Sequence, residues 1–538
     1  MKTSSTFKPR LAIGTAFGAL LFAGTAHAWT VIASPAVGPP TSQVTVTGKQ
    51  FPANSQVEVF LKWKHCSLNT DPLGQFSCTF EVPKVLEPGA QKIWTLHRPS
   101  GRWFQTPFTV RTDWPQFGFD AQRTAFNRYE NVLSPRNVAG LGLRWSIKGS
   151  GWFQTPAVAN GIMYLVLTTQ YRSSRLYAYS AECTTTGSLR PAFAPAANAL
   201  ANNYPSTLDC APLWFAELYG SGETYTTPAV AHGRVYVGAD NGLLYAFAAQ
   251  GCGSPTCTPL WTAATGSYIY ASPTVANGVV YVGSSNDDRL YAFSASGCGA
   301  ATCSPLWSGS VDAQIFTSPS VANGIVYVGG YTGKVYAFAA GGCGKAVCRP
   351  LWTGDTGSQA ILSGPTVADG LVYVGAFPGK LYAFRATCGQ GRRACSPLWS
   401  GDMGGQYPTA PAVANGIVYI GNGGYGDVNS GPSKLFAFPT HCGARGATCS
   451  PLWVGTMGGY FATSPALANG VAYIGATNGR VYAFPAKCGF DEASCRALWT
   501  YSIGSGIESS PFDPVVANGT VYVGSNFGKL LVFGLKRH

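Results

Sequence analysis

The sequence predicts an all-β protein, an eight-bladed β-propeller preceded by a small β-sandwich. Three observations carry this. One phrase returns eight times between residues 155 and 524, a turn-forming Asn-Gly or its equivalent sits inside each copy, and a Trp recurs once per repeat. At 538 residues the chain is too long for a single compact core, so a repeat architecture must divide the burial.

The phrase reads TPAVANGIMYL from Thr155, TPAVAHGRVYVG from Thr227, SPTVANGVVYVG from Ser272 and SPSVANGIVYVG from Ser318. It continues as GPTVADGLVYVG from Gly364, APAVANGIVYIG from Ala410, SPALANGVAYIG from Ser464 and DPVVANGTVYVG from Asp513. Its central spacings of 45 or 46 residues fit one four-stranded blade per repeat. Asn-Gly supplies the two positive-φ positions that a tight hairpin requires, with Asp369-Gly370 and His232-Gly233 as variants. An alternating β-branched and aromatic run follows, such as Val279 to Val282, then a Gly-containing turn and Leu-Tyr-Ala-Phe, as in Leu290 to Phe293. The fourth strand carries Trp145, Trp214, Trp261, Trp307, Trp352, Trp399, Trp453 or Trp499, read as apolar plugs between blades. Trp145 precedes the first three-strand group and no Trp strand follows Leu530 to Phe533, so the N-terminal strand is expected to complete the last blade.

Ahead of the repeats, residues 1–28 read as a signal peptide: Lys2, Lys8 and Arg10, the apolar run Leu11 to Gly24, then Ala26-His27-Ala28 as the cleavage motif. The apolar run is too short to span a bilayer, and no later segment is long and apolar enough. The expected product starts at Trp29 and is periplasmic or extracellular. Residues 29–111 read as the sandwich, with strands at 44–48, 57–63, 76–82, 93–96 and 108–110. The propeller is assigned to 112–538.

The chain carries a formal charge of +13, three of its basic residues lying in the leader, and only 11% of residues are charged. With no basic run or amphipathic basic helix, nucleic acid is not expected as a partner. The 16 Cys fall into eight local pairs. Cys66 pairs with Cys78 in the sandwich. In the repeats Cys183 pairs with Cys210, Cys252 with Cys257, Cys298 with Cys303, Cys343 with Cys348, Cys388 with Cys395, Cys442 with Cys449 and Cys488 with Cys495. An even count at repeating positions in a secreted chain reads as disulfides, each clipping the connection into a Trp strand. Zinc sites gather four ligands where these pairs are dispersed, and no Cys-x-x-Cys redox motif is present.

The repeat SPTVANGVVYVGSSNDDRLYAF, followed by PLW, resembles the pyrroloquinoline quinone (PQQ) repeat, and Asp113 to Asn127 (DWPQFGFDAQRTAFN) resembles the segment that leads into such propellers. Residues 45 to 59 (TVTGKQFPANSQVEV) and the DPLGQFSC turn resemble bacterial Ig-like modules of the IPT/TIG type. The PQQ-repeat resemblance implies one of two functions. Quinoprotein alcohol dehydrogenases hold PQQ and calcium at the axis, whereas BamB-like proteins bind other proteins. The dehydrogenases often carry a vicinal Cys-Cys disulfide, absent here, and no Cys-x-x-Cys-His haem site is present. No residue can be carried over as a cofactor ligand and no metal site is assigned.

By analogy with the fold, the loops that lead into each inner strand lie near the axis on one face. They carry Trp152, Phe153, Tyr225, Tyr268, Tyr270, Phe316, Tyr407, Tyr460 and Phe461, with Glu223, Asp312 and Glu508 as the acids. Such a funnel could stack sugars or a flat cofactor, or receive a peptide; the same side chains could also simply fill the narrowing core. The expectation is therefore a non-catalytic binding or scaffold protein recognising a protein or a cell-surface polysaccharide. The alternative is a PQQ- and calcium-dependent dehydrogenase using Glu223, Asp312 or Glu508.

Overall fold

A computed structural model describes residues 29–149, 151–169, 173–183, 210–218, 224–388, 394–405, 407–424, 431–443, 446–488, 494–504, 510–526 and 528–536. The expected leader, Glu223 and Glu508 lie outside them. The chain is divided into two compact units, one built from residues 44–80 and 92–108 with the N-terminal segment up to Ala36, the other including everything from Thr109 onward. Among the described residues the helical content is two 3₁₀ turns, Arg98–Ser100 and Val138–Gly140.

In the first unit, Gln43–Lys49 pairs with Thr30–Ser34 and lies beside Phe76–Glu81. A second sheet is centred on Gln56–Leu61, which pairs antiparallel with Lys64–Asn69 and Gly89–His97. The disulfide between Cys66 and Cys78 joins Lys64–Asn69 of one sheet to Phe76–Glu81 of the other. Alternation is strict in Phe76–Glu81, where Phe76, Cys78 and Phe80 are buried and the residues between them exposed. The sequence reading missed Lys64–Asn69 because its KHCSLN pattern carries one large apolar residue, Leu68, and no β-branched or aromatic run.

The second unit contains eight antiparallel sheets among its described residues, each built from a repeat. In one of them Thr274–Ala276, Val279–Ser284, Arg289–Ser294 and Trp307–Ser310 lie in sequence order. Asn277 and Gly278 form the tight turn, with φ of 49° and 77°. The three-residue inner strands contact one another from sheet to sheet, and Gly151–Phe153 packs against Thr520–Ser525. Leu141–Lys148 pairs antiparallel with Lys529–Leu535, placing Trp145 opposite Val532, so the N-terminal strand does complete the last sheet.

Neighbouring sheets are fastened by a repeated polar lock within an apolar layer. The Tyr281 hydroxyl and the Trp307 indole N–H both donate to the Ala340 carbonyl of the next sheet, at 2.9 and 3.3 Å. Tyr327 and Trp352 do the same to Ala386. These Tyr and Trp side chains are almost wholly buried, so their polar ends need such partners.

All eight expected cysteine pairs are disulfides, and no described cysteine is free. Seven lie in the repeats. Cys183 is bonded to Cys210, Cys252 to Cys257, Cys298 to Cys303 and Cys343 to Cys348. Cys388 is bonded to Cys395, Cys442 to Cys449 and Cys488 to Cys495. Each bridge clips the connection into a Trp strand as expected, and most of these staples also carry a strand of their own. Thr302–Cys303 adds as a parallel strand to Trp261–Ala264 of the preceding sheet. The segments ending in Cys348, Cys395, Cys449 and Cys495 repeat the arrangement on the sheets before them. Before Cys257 the same contact shrinks to one parallel bridge between Phe215 and Thr256, with Phe215 N–H donating to the Pro255 carbonyl and Cys257 N–H to the Phe215 carbonyl. Each such staple therefore presents an edge that covers its neighbour's outermost strand.

The segment expected to lead into the repeats instead runs across the inner strands of all eight sheets. The N–H groups of Val158, Val230, Val321, Val367, Val413 and Leu467 donate in turn to the carbonyls of Trp114, Pro115, Ala121, Gln122, Thr124 and Ala125. Val275 donates to the Gln116 side chain, and Asn127 donates to the Val516 carbonyl. Residues 114–127 thus form a belt that satisfies the inner edge of every sheet.

Candidate functional site

The inner strands and the loops preceding them build the candidate site. The residue before each repeat proline faces its counterpart in the next sheet. Thr227 N–H donates to Ser272 Oγ at 2.9 Å, Ser272 N–H to Ser318 Oγ at 2.8 Å and Ser464 N–H to Asp513 Oδ1 at 2.6 Å. This polar girdle is interrupted where the repeat has Gly364 and Ala410.

Three of the aromatic residues, Tyr268, Tyr270 and Phe316, sit on loops whose orientation is set by buried isoleucines. Ile269, Ile315 and Ile361 are wholly buried. Each packs on the glycine that ends a VYVG run in the preceding sheet: a Cβ at Gly238, Gly283 or Gly329 would lie 2.4 Å from the isoleucine Cγ2. The glycines there are needed for close approach, not for a turn. With Ile269 facing inward, its neighbours Tyr268 and Tyr270 face outward, and the same alternation turns Phe316 out beside Ile315.

The result is a rim of ring contacts across four successive sheets. Trp152 stacks on Tyr225 with centroids 6.4 Å apart, Tyr225 meets Tyr270 at 5.9 Å, Tyr270 stacks on Phe316 at 6.1 Å, and Phe316 meets Tyr331 edge-on at 5.7 Å. Tyr268 lies against Tyr270. A second run joins Phe377, Tyr407 and Phe461. Tyr225, Tyr268 and Tyr331 are 43, 46 and 52% exposed. Exposed rings in contact with one another offer a preformed apolar face at little further entropic cost.

Of the sequence-derived residues, Trp152, Tyr225, Tyr268, Tyr270 and Phe316 come together, and Tyr407 with Phe461 forms the second group. Tyr460 is half-buried and anchored through its backbone N–H to Thr477 Oγ1. Phe153 is 1% exposed and belongs to the apolar core. Tyr331 and Phe377 extend the rim and escaped the sequence reading. They lie in the turn between the second and third strands, and only their departure from the small residues usual at that turn would have marked them.

Asp312 is committed to other work. Lys334 Nζ donates to its carboxylate at 2.7 Å and the Tyr336 hydroxyl donates to its other oxygen, so hydrogen bonds hold its pKa below the ordinary carboxylate value. No group of three or more His, Cys, Asp or Glu among the described residues could hold a metal ion. No helix among the described residues is long and apolar enough to cross a membrane.

Sheets whose inner strands contact one another in turn define a β-propeller, and comparison with known proteins agrees. The family model described as outer membrane protein assembly factor BamB matches residues 207–429. The chain is similar in structure to quinohemoprotein alcohol dehydrogenase from Comamonas testosteroni, at 15% identity and a TM-score of 0.55, covering 79% of this chain and 81% of that one. It is also similar to BamB from Moraxella catarrhalis, at 16% identity and a TM-score of 0.51, covering 74% of this chain and 98% of that one. A search of curated protein sequences finds no match. At these identities the likeness is one of fold, and it extends equally to a dehydrogenase and to an assembly factor.

Proposed function

We propose that the chain is a secreted, non-catalytic binding protein that recognises a protein partner, or a cell-surface polymer, through its aromatic rim. In this reading the eight sheets are the blades of one eight-bladed propeller, residues 29–111 an Ig-like sandwich, and residues 1–28 a leader cleaved after Ala28. The disulfides fit an oxidising compartment. The observation that carries the proposal is the preformed contact series from Trp152 to Tyr331, with three rings exposed. Aromatic anchors of this kind dominate binding energy where they are desolvated by a partner, and the girdle and belt beneath keep them rigid.

Pull-down from an extracytoplasmic extract and a glycan array, run on wild type and on Tyr225→Ala, Tyr268→Ala and Phe316→Ala, test the reading. A ligand whose binding falls at least tenfold in these variants supports it, and a ligand indifferent to all three rejects the rim. Deletion of residues 29–111 separates binding by the first module from binding by the propeller. The competing dehydrogenase reading predicts dye-linked oxidation of alcohols or sugars when PQQ and calcium are added. Saturable PQQ binding with turnover would replace the present proposal.

A further inference from the structure

The interruption of the polar girdle is filled by a charged side chain from the belt. Arg123 has a left-handed backbone, with φ of 60°, and is fully buried. Its guanidinium lies where the next girdle side chain would stand: a Cβ on Gly364 would be 3.1 Å from its Nε and 3.2 Å from its Cζ. The Phe117 ring covers one face of the guanidinium, 4.2 Å from centroid to Cζ. Nε, Nη1 and Nη2 have no hydrogen-bond partner among the described residues, and none of the ion pairs there involves Arg123.

Two carboxylates exert their field on Arg123, and both are engaged elsewhere. Asp120 accepts from the Thr124 N–H and hydroxyl and from Arg128. Asp513 accepts from the Ser464 N–H. A guanidinium has five N–H donors and no acceptor, and a buried cation without a partner is among the costliest arrangements a fold can hold. The cavity it faces, lined also by Trp114, Pro411, Pro465 and Asp513, leaves about 20 Å³ for the centre of a water-sized particle. That admits one small occupant and excludes a sugar or a quinone. A single water accepts two hydrogen bonds and leaves the charge uncompensated.

We infer that this axial cavity is an anion site, holding one halide-sized monovalent anion against Arg123. The anion accepts from the guanidinium N–H groups and neutralises its charge, so the gap at Gly364 and Ala410 is a built part of the girdle. Asp513 couples the site to pH. Burial pushes its carboxyl up to about 6, Ser464 and Arg123 opposing the shift, and an anion beside it further favours the protonated form. Occupancy is therefore tightest when Asp513 is neutral. From pH 5 to pH 7 the protonated fraction falls about tenfold, and chloride affinity falls with it.

The test uses the mature chain with its disulfides intact. Thermal melting in chloride and in gluconate at constant ionic strength should show a higher Tm in chloride, with about tenfold weaker apparent binding at pH 7 than at pH 5. Asp513→Asn retains Arg123 and should bind chloride equally at both values. Arg123→Met, if it folds, should lose the chloride dependence. Crystals grown in bromide should give an anomalous peak in contact with the Arg123 guanidinium. Equal melting in both salts, water-only density at that position, or a chloride effect unchanged in Arg123→Met would each overturn the inference.

Discussion

Asp513→Asn offers the sharpest measure of how the axis handles charge. Asp513 is half-buried among the inner strands, its Oδ1 accepts from Ser464 N–H at 2.6 Å, and burial raises its pKa from 3.8 to about 6. The native protein therefore keeps a proton that the unfolded chain releases between pH 4 and 6. Stability falls as pH rises through that window, because the native state there binds the extra proton. The penalty is complete above pH 6 and absent below pH 4. A shift of about two units corresponds to roughly 3 kcal/mol, an upper value for a side chain that retains some access to solvent. Asparagine keeps the shape and the acceptor oxygen without the charge. In chloride-free buffer the Tm of Asp513→Asn should match wild type near pH 4 and exceed it by roughly 3–6 °C at pH 7, scaling the usual dependence of Tm on stability. Scanning calorimetry at one fixed rate from pH 4 to 8 measures this. A Tm difference that stays constant across that range would show that Asp513 is ionised throughout and balanced by Arg123, and would remove the proton linkage.

Other substitutions probe the remaining layers. Tyr225→Ala is expected to lower stability by about 0.5–1.5 kcal/mol through its lost ring contacts, while weakening partner binding at least tenfold; a melt and a titration on the same sample separate the two. Gly283→Ala places a methyl 2.4 Å from Ile315 Cγ2 and should cost about 1–3 kcal/mol by overpacking, read as a lower denaturation midpoint. Replacing Cys298 and Cys303 together by Ser opens a loop with a sequence separation of 5 and should lose about 2 kcal/mol in the chain-entropy account. Hydrogen exchange at Thr262, whose N–H donates to the Ala301 carbonyl, should accelerate with it.

What was legible in the sequence is what repeats. Asn277-Gly278, Val279 to Val282 and Leu290 to Phe293 state strand, turn and strand locally, and eight copies average out the ambiguity of any one. Ring closure was legible for the same reason, since Trp145 stands alone before the first repeat. The staples were half legible. The spacing of Cys298 and Cys303 announces the disulfide, but the parallel pairing of Thr302–Cys303 with the sheet before it depends on where the neighbouring Trp261 strand ends in space. The aromatic rim was found by its loops, and the contacts among its rings come from Ile269 and Ile315 seating on glycines some thirty residues earlier in the chain, which local pattern does not encode.

The belt was the least legible element, and its chemistry explains why. Asp113 to Asn127 has no apolar periodicity, because its task is to offer hydrogen-bonding groups to eight separate strands, six through backbone carbonyls and two through the Gln116 and Asn127 side chains. A segment shaped by partners up to 405 residues away satisfies no local rule. The same logic locates its one charged intrusion. Polar residues before the repeat prolines bind sheet to sheet at Thr227, Ser272 and Ser464. The repeats lose those side chains at Gly364 and Ala410, on the side where the belt sends Arg123. A substitution that restores the girdle, Gly364→Ser, has to displace Arg123 to be accommodated. Its Tm should lose chloride dependence while the rim, carried on separate loops, keeps its ligand. Loss of both together would mean that the floor of the axis and its rim are one site.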